Sequence, residues 1–244
     1  MANQRELYDR YKTCMVRIET LGPDDQIHSG AGFHVGNGII VTAQHVIDYS
    51  LSKVITHHLH NELEVRKIHR HPNDLVDLAL LETNFNIDDA LKNTTYMYTD
   101  GVRQPATERH STSIPIGGHL DDWIGDELVL SEVLLLGYPR IPLSREPVLT
   151  AALGHVNAII DRYLGPHPFF IVSCMARGGF SGGPAISEYG FLLGVITSSF
   201  VADDQELELG FNGVISIEPL LELLAAHQLR PPNIDDEIWG LFTS

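Results

Sequence analysis

Apolar residues fall along this chain in short, β-branched runs, each bounded by Gly, Pro, Asn or Asp. That is the pattern of strands that bury one face. "CMVRIET" (14–20) alternates apolar and polar positions, and "GAGFHVGNGIIVTA" (30–43) predicts two strands that turn at Asn37–Gly38. Asn-Gly between apolar runs is a strong hairpin signal. "KVITHHLH" (53–60), "LEVRKIHR" (63–70), "LALLE" (78–82), "EVLLLGY" (132–138), "FFIVSCM" (169–175), "FLLGVITSSF" (191–200) and "FNGVISI" (211–217) continue the series. Helical patterning is confined to residues 4–11 and to a stretch from Pro219 to Leu229, where proline suits the first turn. Many short strands with few helices predict an all-β fold, a sandwich or barrel, and not a parallel sheet.

Between Glu82 and Leu128 the alternation breaks down, a long connection for a compact domain. It divides the chain into two halves of similar length, 1–127 and 128–244. No internal repeat is visible. The closing "PPNIDDEIWGLFTS" is acidic but carries Trp239 and Phe242, and is expected to pack on its own domain.

Composition narrows the function. The chain has 244 residues, 43% of them hydrophobic, enough for a substantial core. Sixteen Lys and Arg stand against 32 Asp and Glu, a net charge of −16, which argues against binding a nucleic acid backbone. Cys14 and Cys174 are the only cysteines, too few for a disulfide framework, so a reducing compartment is expected. "MANQRELYDRYK" lacks the apolar core of a signal peptide, and no run approaches the length of a membrane span. A cytoplasmic, soluble chain with no membrane association is the expectation.

"GGFSGGPAI" (178–186) surrounds Ser181 with four glycines. Glycine lets the backbone turn sharply and brings its N–H groups close to a ligand, so a serine there can be a nucleophile beside an oxyanion hole. A glycine-rich hairpin turn would read the same way. A nucleophilic serine needs a base, and the base needs an acid to fix its tautomer. "IIVTAQHVI" delivers His45 just after an apolar strand, and "HPNDLVDLALL" delivers Asp77 at the head of another, with Asp74 as the alternative acid. Singly, each is an ordinary strand-end or turn residue. In the order His, Asp, Ser they are far more specific.

With "TAQHV", "DLALL" and "GGFSGGP" the chain resembles the chymotrypsin/trypsin-like serine peptidases, and most closely their disulfide-free HtrA-like branch, since Val46 stands where secreted members carry a cysteine. "LLLGYPR" resembles the strand opening that family's second barrel, and "VLTAALGHVNAI" (148–159) the strand pair after it. The resemblance covers about residues 13 to 229. It implies two packed six-stranded antiparallel β-barrels with a short C-terminal helix, His45 and Asp77 in the first barrel and Ser181 in the second. It further implies Ser181 as nucleophile, His45 as general base, Asp77 as its orienting acid, and the N–H groups of Gly179 and Ser181 as the oxyanion hole. The implied activity is serine endopeptidase, through an acyl-enzyme and without a cofactor. The primary pocket falls at Met175, with Thr197, Ser198 and Ser199 as its wall, a setting for small or medium apolar side chains.

Phe180 departs from the family pattern. Secreted members carry an aspartate there that receives a freed amino terminus, and HtrA-like members typically an asparagine. A phenyl ring accepts no ammonium. Activation by zymogen cleavage is therefore not expected, and a regulatory protein partner is. Three rivals remain open at this point. His58 and His60 in "THHLH", with His69 and His71, are possible zinc ligands without a supporting second cluster. Ser181 with Asp203 and His227 follows the order of an α/β-hydrolase, which needs a helix directly after the serine. A peptidase fold kept as an inactive binding module is the third.

Overall fold

The alternating runs form two six-stranded antiparallel sheets, with a two-stranded hairpin between them in sequence. The structure, a computed structural model, describes residues 4–57, 60–86, 97–99, 102–104, 111–116, 127–161, 167–174, 178–199 and 210–243. In the first sheet, β1 (Met15–Leu21), β2 (Ile27–Gly36), β3 (Ile39–Thr42), β4 (Ser50–Thr56), β5 (Val65–Arg70) and β6 (Ala79–Thr83) lie in the order β4-β1-β2-β3-β6-β5. Asn37 and Gly38 both have positive φ (+52° and +74°), the backbone that a tight hairpin between twisted strands requires. This sheet is a half-barrel. Its edges β4 and β5 are joined by a turn and one isolated bridge, Ile55 to Glu62. The predicted strand over 53–60 therefore ends at Thr56, and His60 sits in the turn with φ +51°.

The hairpin β7 (Met97–Thr99) and β8 (Val102–Gln104) lies within the long connection. The second sheet closes into a barrel, β10-β11-β14-β13-β12-β9. Its strands are β9 (Glu132–Gly137), β10 (Thr150–Asp161), β11 (Pro168–Ser173), β12 (Pro184–Ser187), β13 (Leu192–Ser199) and β14 (Phe211–Ser216). The strand pair expected over 148–159 is one long strand, β10. Residues 150–155 pair with β9 and 155–161 with β11, and the register shifts between Val156 and Ala158. A small barrel must bend its strands, and bulges and glycines are how it does so. Gly154 crosses so close to β11 that a Cβ there would lie 2.4 Å from the Ser173 carbonyl oxygen.

Both sheets contribute to one continuous apolar core, with Phe33, Leu78, Leu80, Phe169 and Phe170 among its fully buried members. The helices near the two ends of the sequence exchange sides. Helix α1 (Gln4–Tyr11) lies on the second barrel: Leu7 is fully buried beside Gly190, and the Tyr11 hydroxyl donates to the Gly190 carbonyl at 2.5 Å. Helix α2 (Glu218–Ala226), with Pro219 in its first turn, lies against the first sheet. There Glu222 faces His71 at 3.8 Å, and His227, just past the helix, stacks on His69 at 3.9 Å between ring centroids.

The tail follows the same course and does not confine itself to the second half as expected. The Asn37 side-chain amide donates to the Arg230 carbonyl at 3.1 Å, and that of Asn233 to the Ser113 hydroxyl at 2.9 Å. It ends in helix α3 (Asp236–Thr243), whose Trp239 and Phe242 are partly buried on the core. Among the described residues no helix is long and apolar enough to cross a membrane.

Candidate active site

Strand β3 hands the chain to a single 3-10 turn, Gln44–Ile47. Val46 and Ile47 are buried, with Val46 seated so close to Gly30 that a Cβ there would meet it at 2.4 Å. The turn is thus pinned by its apolar pair, and His45 faces outward with 44% of its side chain exposed. The loop before β6 works by the same logic. Val76 and Leu78 are buried and Asp77 between them points the other way, while His71 N–H to Leu78 O (3.1 Å) closes the loop at its base.

Asp77 grips His45 at two points. Oδ2 lies 2.6 Å from the ring Nδ1, and Oδ1 accepts the His45 backbone N–H at 2.9 Å. Asp74 is exposed and contacts neither. A carboxylate at Nδ1 fixes the proton on that nitrogen and leaves Nε2 as the basic lone pair.

Burial works to lower the His45 pKa, but the hydrogen bond and charge of Asp77, helped by Asp48, outweigh it and raise it above the ordinary 6.5. A raised folded value stabilises the protein below the unfolded pKa, and this contribution is lost as pH rises through the folded one. Base catalysis needs the neutral ring, so it runs the opposite way. The acid limb of kcat/KM against pH should have its midpoint above 6.5, and Asp77→Asn should move it down. A midpoint at or below 6.5 in the unaltered protein would contradict the assignment.

The Ser181 turn reaches this pair through its backbone. Gly182 has φ +81°, and a Cβ there would lie 2.3 Å from both the Ala31 carbonyl oxygen and Thr42 Oγ1, and 2.8 Å from the Ala43 nitrogen. The Ala31 N–H donates to the Ser181 carbonyl at 2.9 Å. The serine turn of the second barrel is therefore set against the first sheet, two residues before His45. Gly182 N–H donates to Ile196 O (2.7 Å), and Ile196 N–H to Gly183 O (2.9 Å), which ties the turn to β13.

The His45 ring is bonded through Nδ1 to Asp77. No hydrogen bond joins the ring to Ser181. The ring is held from Nδ1 and the serine through its carbonyl, so nothing in either anchor fixes the Oγ to Nε2 distance.

Gly179 has φ +102°, and its carbonyl accepts the Tyr138 N–H at 2.8 Å. A Cβ at Gly179 would stand 2.4 Å from the Tyr138 carbonyl oxygen, so only glycine fits. Among the described residues the N–H groups of Gly179 and Ser181 meet no acceptor, whereas those of Gly182 and Gly183 are both bonded. Phe180 is 2% exposed, and its ring covers Gly137 at the end of β9.

Thr197 lies where β13 shifts register against β14, and its buried hydroxyl has no partner. Beyond Val195, β13 has left β12, and Ser198 and Ser199 pair only with β14 among the described residues. Met175 lies outside the described residues, as do His58 and Asp203. The Asn212 side-chain amide donates to the Cys174 carbonyl at 2.8 Å. Both cysteines are buried and neither is in a disulfide, and burial pushes the Cys14 thiol far up.

Among the described residues the rival constellations do not assemble. His69 pairs with Glu82 at 2.6 Å, and no group of three or more His, Cys, Asp or Glu among the described residues could hold a metal ion. Ser181 is followed by a strand beginning at Pro184, not a helix, and His227 belongs to the α2 contact with His69.

A half-barrel and a closed barrel, both antiparallel, with a His–Asp pair on one and a glycine-bracketed serine on the other, define the chymotrypsin-like serine protease class. A family model for the trypsin-like peptidase domain matches residues 30–195, and the chain belongs to that family. A search of curated proteins found no match. Among solved structures, the active form of the Rv3671c protease from M. tuberculosis is similar at 19% identity, with TM-score 0.59, over 88% of this chain and 81% of that one. The HtrA-type protease AlgW with a tripeptide is similar at 16% identity, with TM-score 0.63. That match covers 92% of this chain, which spans 63% of AlgW.

Proposed function

We propose that the chain is an endopeptidase in which Ser181, His45 and Asp77 act as a catalytic triad. The observation that carries this reading is the two-point grip of Asp77 on His45, since it sets the tautomer a general base needs. His45 Nε2 takes the Ser181 Oγ proton as the oxygen attacks a peptide carbonyl. The resulting oxyanion is received by the N–H groups of Gly179 and Ser181, which protein acceptors leave available. Collapse breaks the C–N bond, His45 returns the proton to the leaving amine, and water then hydrolyses the acyl-enzyme by the same steps. Among the described residues Ser198 and Ser199 pair with β14 alone, and an extended peptide adds as a strand on the other edge of β13 there.

No proteolytic maturation is required in this reading. Phe180 has no acceptor for a freed amino terminus and is already packed in the core. A partner protein sets the activity instead, by biasing the Gly178–Gly179 peptide toward or away from the oxyanion. Losing one such donor costs about 3 to 4 kcal/mol in the transition state.

Purified full-length protein treated with a serine-directed fluorophosphonate should label at Ser181, and His45→Ala should label far more slowly. Failure of Ser181 to label in folded protein would favour an inactive binding module. Turnover on peptide substrates without a partner should be well below that of a digestive protease. Turnover at that level would remove the regulatory part and leave the triad.

A further inference from the structure

A cavity of about 650 Å³ lies between β2 and the 139–147 loop, and a residue next to each of these walls touches the Ser181 turn. One wall is β2. Ala31, which holds the Ser181 carbonyl, is two residues from Ser29 and four from Ile27, both of which line the cavity. The other wall is the 139–147 loop. Pro139 lies 2.7 Å from where a Gly179 Cβ would stand, and Arg140 follows it. The Arg140 guanidinium donates to the Ile27 carbonyl and so joins the two walls. Arg17 pairs across the sheet with Ala31 and donates to the Pro147 carbonyl at 3.2 Å, fixing the floor.

The charge of this cavity runs against that of the chain. Three arginines line it, Arg17, Arg140 and Arg145, with two carboxylates, Glu19 and Glu146. Both carboxylates are spent on Arg17, at 2.9 and 3.6 Å. Arg140 is exposed, and Arg145, also exposed, makes no hydrogen bond or ion pair among the described residues. A chain of net charge −16 thus keeps two outward guanidinium groups at the mouth of one cavity. At the tip of the same loop Leu143 is fully exposed with φ +71°, a backbone that a leucine rarely adopts.

We infer that this cavity receives acidic side chains of the peptide substrate on the leaving-group side of the cut bond, held by Arg140 and Arg145. The inference rests on the endopeptidase reading, which sets the polarity. The acyl half lies along the open edge of β13 on one side of Ser181, so the chain beyond the cut bond leaves toward β2 and the 139–147 loop. Guanidinium is the group suited to carboxylate recognition, through its planar fork of donors.

The test uses the full chain and pairs of peptides identical up to the cut bond, with either Glu or Lys at the second and third positions after it. Binding to Ser181→Ala protein is read by fluorescence anisotropy, and wild-type kcat/KM is measured beside it. At low salt the Glu peptide should be favoured by roughly fivefold or more, the scale of an exposed ion pair. The preference should fade in about 1 M salt, where screening acts within about 3 Å. It should vanish or reverse in Arg140→Glu with Arg145→Glu, and Arg140→Gln with Arg145→Gln should weaken it. Cleavage of both peptides without a charge preference would overturn this inference alone. Charge-selective binding without cleavage or fluorophosphonate labelling would support the cavity and overturn the peptidase reading.

Discussion

Replacing Ser181 by alanine should lower peptide hydrolysis by roughly 10⁵-fold or more while leaving the melting temperature within about 2 °C, because nucleophile and base act as one unit in such sites. The turn does not need the hydroxyl. Its anchors are the Ser181 carbonyl on the Ala31 N–H, the Gly182 N–H on Ile196 and the Gly179 carbonyl on the Tyr138 N–H, all backbone groups that alanine keeps. Ser181→Ala and His45→Ala should be nearly equal in loss, and the double variant little worse than either. Single-turnover assays with a quenched peptide, alongside calorimetry, check both halves. Residual turnover near the wild-type rate in Ser181→Ala would remove the serine from the chemistry, and a large drop in melting temperature would show that the hydroxyl holds the turn.

Phe180→Ala should be the most destabilising single change at this site, by about 3 to 5 kcal/mol, the usual cost of emptying a buried aromatic position. The ring is 2% exposed, and a Cβ on Gly137 would stand only 2.7 Å from its Cγ, so β9 is cut back to glycine to admit it. In a chain of this size the loss corresponds to a fall in melting temperature of roughly 10 °C. Activity should fall beyond what unfolding explains, since Phe180 lies between Gly179 and Ser181, the two donors assigned to the oxyanion. Fluorophosphonate labelling well below the variant's melting temperature separates the effects. A shift under about 3 °C would mean that backbone bonds, and not the ring, hold the turn.

Much of this was legible in the sequence because the signals were local. Asn37–Gly38 marked its hairpin, and "HPNDLVDLALL" put Asp77 at the head of a buried strand. Long-range closure was less legible. The family resemblance implies a strand pair over residues 148–159, with Gly154 between its apolar runs. In the fold the same glycine lets one strand pass over Ser173 and serve two neighbours. Helix α3 was hidden in an acidic stretch whose Trp239 and Phe242 meet the core only after the chain has crossed the molecule. The hairpin of β7 and β8 has its own local signal, Asp100–Gly101 between "MYT" and "VRQ", inside a stretch whose alternation otherwise breaks down. The cavity between β2 and the 139–147 loop could not be read at all, because Arg17, Arg140 and Arg145 come together only when a β1 residue meets a loop more than a hundred residues on.

The exchange of sides by the outer helices ties the two halves together in the order in which the chain is made. While the chain emerges from the ribosome, His45 and Asp77 are complete long before Ser181 is made. The first sheet still lacks its cover, because α2 and the segment from Arg230 to Asn233 are made after the serine. Helix α1, made ahead of both sheets, has no seat until Gly190 has been added. Each half thus waits for a segment of the other, the first sheet for α2 and residues 230–233, and helix α1 for the turn at Gly190.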